Sequence, residues 1–122
     1  MSKKVVVVAL LLSACGPLVE VNDTSKVNPA TLTAASNVRV FTLGQNAPQN
    51  YSVIAPVSAF SCKNMMTDPP ASQGDALLQL QIKALELGAS AVVNVGFDLR
   101  GTDTFGTNCW ETVQASGLAV RY

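Results

Sequence analysis

The sequence contains no histidine, which removes the side chain most often used as a general base near neutral pH and the most common ligand for transition metals. No Ser/His/Asp or Cys/His constellation can be assembled without it, so the expectation is a non-enzymatic protein with no cofactor and no metal site. Charge is scarce as well. Only 13% of the 122 residues are charged, and eight Lys and Arg face eight Asp and Glu, so nothing implies a basic surface for nucleic acid. A Cys-x-x-Cys redox motif is missing. The dense apolar run Val5 to Leu12 stops far short of the roughly 18 to 20 residues that a spanning helix needs. With 48% hydrophobic residues the chain has material for one compact domain and little room for a second.

The ends of that apolar run give it a meaning. Lys3 and Lys4 precede it, and the small residues Ser13 and Ala14 lead into Cys15, which is the layout of a cleaved secretory signal. The tetrapeptide Leu12-Ser13-Ala14-Cys15 resembles the bacterial lipobox. That resemblance implies cleavage between Ala14 and Cys15, a diacylglycerol on the Cys15 thiol and an acyl group on the new amine, and more than one acyl chain is what stable anchoring requires. Without residues 1–14 the chain keeps six basic and eight acidic side chains, a balance of −2. Gly16 follows the cysteine, where enteric lipoproteins kept in the inner membrane usually carry Asp. The resemblance therefore implies the outer membrane, with the domain facing the periplasm, ahead of the inner membrane.

Residues 15–37 read as the lipidated cysteine and a flexible tether, rich in Asn, Thr, Ser, Ala and Pro and without a period of 2 or 3.6. About 20 such residues would reach roughly 25 Å. Residues 38–122 read as the folded domain. Val38 to Leu43 and Tyr51 to Ala55 have strand character, and Pro56 should end the second strand, mark a bulge or place it at an edge. The spacing of Ser72 and Asp75 predicts a helix start, and Gly88 its stop. Leu78, Ile82 and Leu85 would face a sheet, with Leu77, Leu80, Ala84 and Leu87 beside them and Gln79, Lys83 and Glu86 opposite. Ala91, Val93, Val95, Phe97 and Leu99 alternate with Val92, Asn94, Gly96, Asp98 and Arg100, which predicts a strand whose first set meets the helix. Cys109 to Tyr122 reads as a last strand with a bulge near Gly117. The expected class is α+β: a small β-β-α-β-β domain, one helix on a sheet, closed by a hairpin.

Three cysteines are odd for an exported chain unless one is otherwise consumed. A lipid on Cys15 leaves Cys62 and Cys109, which should bridge in an oxidising compartment. The alternatives are a redox-active pair, free thiols, or a soft-metal site in which Cys62 works with Met65 and Met66.

From about Val38 onward the chain resembles the RcsF lipoprotein family, the outer-membrane sensors that feed the Rcs envelope-stress phosphorelay. The likeness is carried by Val38-Arg39-Val40-Phe41, by Cys62 before a Pro-containing loop, by the junction Ala84-Leu85-Glu86-Leu87-Gly88-Ala89-Ser90-Ala91-Val92-Val93, and by Cys109 ahead of Ser116-Gly117-Leu118-Ala119-Val120. The helix-to-strand junction is also similar to that of the YbjQ-type small domains. The resemblance implies that Cys62 and Cys109 form one of the two RcsF disulfides, the other having no counterpart. It implies signalling through protein contacts, with outer-membrane β-barrel proteins and an inner-membrane regulator as partners besides the membrane itself.

Overall fold

The computed structural model describes residues 17, 19–45 and 47–122. The expected signal segment, the Ala14/Cys15 cleavage point and the lipidated Cys15 lie outside the described residues. The chain runs through a 3-10 turn (Thr24–Lys26), helix α1 (Pro29–Ser36), strand β1 (Arg39–Thr42), strand β2 (Ser52–Lys63), helix α2 (Gln73–Glu86), strand β3 (Ala91–Leu99) and strand β4 (Glu111–Arg121). From residue 38 the order is the expected β-β-α-β-β, and the fold is α+β with α2 packed on a four-stranded sheet.

The sheet order is β1-β3-β4-β2. Strand β4 runs antiparallel to both β3 and β2, while β1 and β3 are parallel. The β3–β4 pair is the closing hairpin, and α2 carries the chain from β2 over β4 to β3, a split β-α-β unit. Strand β2 lies at an edge, so Pro56 can sit within it without removing a needed donor. Strands β1 and β2 occupy opposite edges yet point the same way, and the connection between them crosses the back of the sheet. There Ala47 and Tyr51 pack with Phe41, Ala91, Val93, Leu118 and Val120 in a small second core.

Both ends of α2 are closed locally. Ser72 Oγ accepts from the N–H of Asp75 at 3.1 Å. At the other end Gly88, with φ +76, lets its own N–H reach the carbonyl of Leu85 and that of Ala89 reach Ala84, the paired bonds that stop a helix through a left-handed residue. The main core lies between α2 and the front of the sheet. Ala76, Leu80 and Ala84 meet Ala59, Val92, Val95, Val113, Ala115 and Ala119, and alanine on both surfaces lets helix and sheet approach closely.

Two expectations about facing are corrected. On α2 the line toward the sheet is Ala76, Leu80 and Ala84, with Leu77 and Leu85 packed against the same core, whereas Leu78 and Ile82 are not part of it, and Gln79, expected in solvent, is buried. The cause is a layer on the far side of the helix, because α1 packs on α2 as well. On β3, the expected inward set does not stay on one face. Val92, Val95 and Phe97 belong to the front core, Ala91 and Val93 to the back, and Leu99 is exposed. An extra residue breaks the phase. Val92 and Val95 pair with Val40 and Thr42, and Val93 and Gly96 pair with Leu118 and Ser116, so both neighbouring ladders slip at Asn94, whose φ is +56. The bulge expected near Gly117 thus lies in β3, opposite that glycine. A Cβ on Gly117 would stand 2.9 Å from the Val93 carbonyl and 2.8 Å from Val92 Cγ1.

Candidate functional site

The chemically distinctive part of the molecule is the end where β2 stops and β4 begins. In the ladder, Cys62 pairs with Thr112 and Lys63 with Glu111, and the Trp110 N–H continues the pattern to the Lys63 carbonyl at 2.6 Å. Asn108, with φ +57, turns the preceding chain so that Cys109 is buried. Cys62 and Cys109 form a disulfide with their Cα atoms 5.6 Å apart, within the range such a bond spans. Both sulfurs are used in that bond, so Cys62 is not a thiolate that could join Met65 and Met66 around a soft metal. Among the described residues no group of three or more Cys, Asp or Glu is placed to hold a metal ion.

Two loops flank the disulfide, and an aspartate organises each. In the first, Asp68 Oδ2 accepts from the N–H groups of Asn64 and Met65, each at 3.0 Å. Lys63 Nζ donates to the Asp68 carbonyl at 2.6 Å. In the second, the Asp103 carboxylate accepts from the N–H groups of Gly106 and Thr107 at 3.1 and 3.2 Å and lies 3.5 Å from Arg100 Nε. Its backbone bridges to Cys109, and its carbonyl takes the Asn108 N–H at 2.7 Å. Asn64 Nδ2 donates to the Asn108 carbonyl and ties the loops together. Beneath them, buried Thr107 and Thr112 share a hydroxyl contact at 3.1 Å. This stapled tip displays large apolar groups. Phe105 is 98% exposed and Met66 84%, with Met65, Leu99 and Trp110 also exposed.

A cleft of roughly 470 Å³ runs beside the tip. One wall is the stretch around Cys62, Asn64, Met65 and Asp68, and the other is formed by Pro17 and by Val21 to Thr24 of the N-terminal segment. That segment is strapped to α2. The Asn22 N–H donates to Gln79 Oε1 at 3.1 Å, Gln79 Nε2 donates to Asp75 Oδ2 at 2.8 Å, and Thr24 Oγ1 donates to Asp75 Oδ1 at 3.3 Å. Asp23 caps the 3-10 turn through the Ser25 N–H and hydroxyl at 3.1 and 2.6 Å, bonds that hold its carboxyl below the usual aspartate range. Asn28 caps α1 through the Ala30 N–H at 2.9 Å, with Pro29 in the first turn. Gln81 Nε2 then donates to the Val38 carbonyl at 2.9 Å.

The span 15–37 is therefore not a tether throughout. From Asn22 onward it is docked, because local caps and the buried Gln79 amide supply partners that a reading based on hydrophobic period does not register. Residues missing from the sequence analysis are thus Asp68 and Asp103, which shape the tip, Asp75 as an anchor for the strap, and Phe105 and Trp110 as displayed side chains. Asn28-Pro29 is the signal that could have found α1, since an Asx cap followed by Pro at the first helical position marks a helix start. No helix among the described residues is long and apolar enough to cross a membrane.

No family model matches the chain, and no curated protein matches it either. Among solved structures the chain is similar to a protein of unknown function from Pediococcus pentosaceus that belongs to the DUF74 family. Identity is 18%, 69% of this chain and 96% of that one are covered, and the TM-score is 0.48.

Proposed function

We propose that this protein is an envelope lipoprotein of the RcsF kind, anchored through Cys15, whose domain reports outer-membrane or envelope stress by changing the proteins it touches. The observation that carries the proposal is the Cys62–Cys109 bridge. A disulfide of this sort belongs to an oxidising compartment, and it leaves Cys15 of the Leu12-Ser13-Ala14-Cys15 motif as the cysteine available for a lipid. Each of the three cysteines then has one role. The resemblance from Val38 to the C-terminus supports the sensor assignment, and the absence of histidine supports action by contact rather than by catalysis. Partners would be outer-membrane β-barrel proteins and an inner-membrane regulator. The test is deletion of the gene followed by outer-membrane stress. Loss of an Rcs-type transcriptional response is expected, and an unchanged response in a cell that has the phosphorelay would refute the signalling role.

A second reading is a periplasmic binding or scaffold lipoprotein that does not signal. The docked strap favours it, because Asn22 and Thr24 held by Gln79 and Asp75 leave little free chain for reaching distant partners. Crosslinking in intact cells separates the two readings. A stable complex that ignores stress supports the scaffold, and a partner exchanged on stress supports the sensor.

A further inference from the structure

We infer that the disulfide-stapled tip rests on the leaflet that holds the Cys15 lipid, with Phe105, Trp110, Met65 and Met66 entering the headgroup region of a zwitterionic phospholipid surface. The inference builds on the proposed lipidation of Cys15. Its first support is that the apolar display is built rather than loose. The loops that carry it are fixed by Asp68, Asp103, the Asn64 to Asn108 bond and the Cys62–Cys109 bridge, so the exposure of Phe105 and Met66 is a feature of an ordered surface.

The second support is the position of the chain that would carry the lipid. Pro17 lines the same cleft as Met65 and Cys62, and only Gly16 separates Pro17 from Cys15. Two residues span at most about 7 Å. With the strap docked from Asn22 onward, a lipid on Cys15 holds this end of the domain against the membrane instead of letting the domain swing on a long leash. The displayed side chains suit that neighbour, since tryptophan favours the membrane–water boundary and phenylalanine and methionine insert readily beside it.

Charge selects the type of surface. Lys63 and Arg100 at this end face Asp68, Asp98, Asp103 and Glu111. Lys63 is bonded to the Asp68 carbonyl, and Arg100 lies 3.8 and 3.5 Å from the carboxylates of Asp98 and Asp103. A tip with this net negative balance would be repelled by anionic lipid and is compatible with zwitterionic headgroups. A protein partner for the same side chains would leave the tip away from lipid, so the experiment below excludes one or the other.

Trp110 is the single tryptophan of the chain, and its emission is a direct probe. The mature protein, extracted from membranes and reconstituted into phosphatidylcholine vesicles, is compared in plain lipid and in lipid brominated on the acyl chains near the headgroup. The mass of the N-terminal peptide is read from the same preparation. We expect an acylated Cys15, emission at shorter wavelength and quenching by brominated lipid, with quenching lost in the double variant Phe105→Ser, Met66→Ser and weakened when phosphatidylglycerol is added. Acylated protein with no quenching would overturn the inference while leaving the lipoprotein assignment standing. An unmodified Cys15 would overturn both. Quenching that strengthens in phosphatidylglycerol would overturn the choice of a zwitterionic surface.

Discussion

At the strap and the tip the usual relation between polarity and burial is inverted, with polar Gln79 buried under the one and apolar Phe105 exposed on the other. Residues 21–37 are mostly Asn, Asp, Ser, Thr and Ala, yet they pack on α2 and bury the amide of Gln79, which is 2% exposed. Residues 64–68 and 101–110 carry Met65, Met66, Phe105 and Trp110, yet they present them outward. Short-range caps help to order both segments, made by Asp23 and Asn28 in one and by Asp68 and Asp103 in the other, and the strap is tied in addition to Gln79 and Asp75 of α2. The difference teaches that the strap is held for the fold, whereas the apolar groups of the tip contribute little to it and are available to something outside the chain.

The staple shared by the two loops should matter most to stability. Replacing Cys62 and Cys109 together by Ser opens a closure over 47 residues, worth about 4 kcal/mol in the chain-entropy model, a large share of what a domain this size has in hand. Thermal denaturation with and without reductant should show a matching fall for the wild type on reduction and no further fall for the double variant.

Polar Gln79 should outrank apolar Phe105, which is the inversion put to a direct test. Gln79→Ala leaves the Asn22 N–H and Asp75 Oδ2 without their Gln79 partner and should cost about 1 to 3 kcal/mol, with loss of hydrogen-exchange protection at Asn22. Phe105→Ser should change stability by about 0.5 kcal/mol or less, because the ring has almost no contacts to lose. A larger cost at Phe105 than at Gln79 in urea unfolding would break the comparison.

The smallest effect is expected at the cap of the strap. The Ser25 hydroxyl and N–H hold the Asp23 carboxyl below its ordinary pKa. A carboxyl depressed in the folded state contributes stability that is present above its unfolded pKa and disappears as pH falls through the folded value. A titration of Asp23 followed by NMR should show a midpoint below that of an exposed aspartate, moving back toward it in Ser25→Ala, and the 3-10 turn should loosen only in acid.

How much of this was legible in the sequence depends on whether the cause was local. Helix α2 was readable because Ser72 and Gly88 mark its ends in the chain itself, and the pairing of Cys62 with Cys109 was readable by counting once Cys15 was given a different fate. The facing of β3 was not, because one residue at Asn94 in the left-handed region shifts the period-2 pattern, so Val93 and Val95 fall on opposite faces. Gln79 looked solvent-facing because helical spacing shows which residues share a face but not that a second layer covers it. Helix α1 has no apolar stripe to register, and only its Asn28-Pro29 start betrays it. The tip was hidden for a further reason: nothing in the spacing of the chain tells that Asp68 and Asp103 fix the loops of Met66 and Phe105 so that both side chains stand in solvent.

The central claim joins one lipid and one disulfide across three cysteines, and intact and peptide mass spectrometry of the mature protein, with and without reduction, tests both at once. The account predicts a chain that begins at an acylated Cys15 and a Cys62–Cys109 peptide pair that separates only on reduction. A chain that retains Met1, an unmodified Cys15, or free thiols at Cys62 and Cys109 would contradict it.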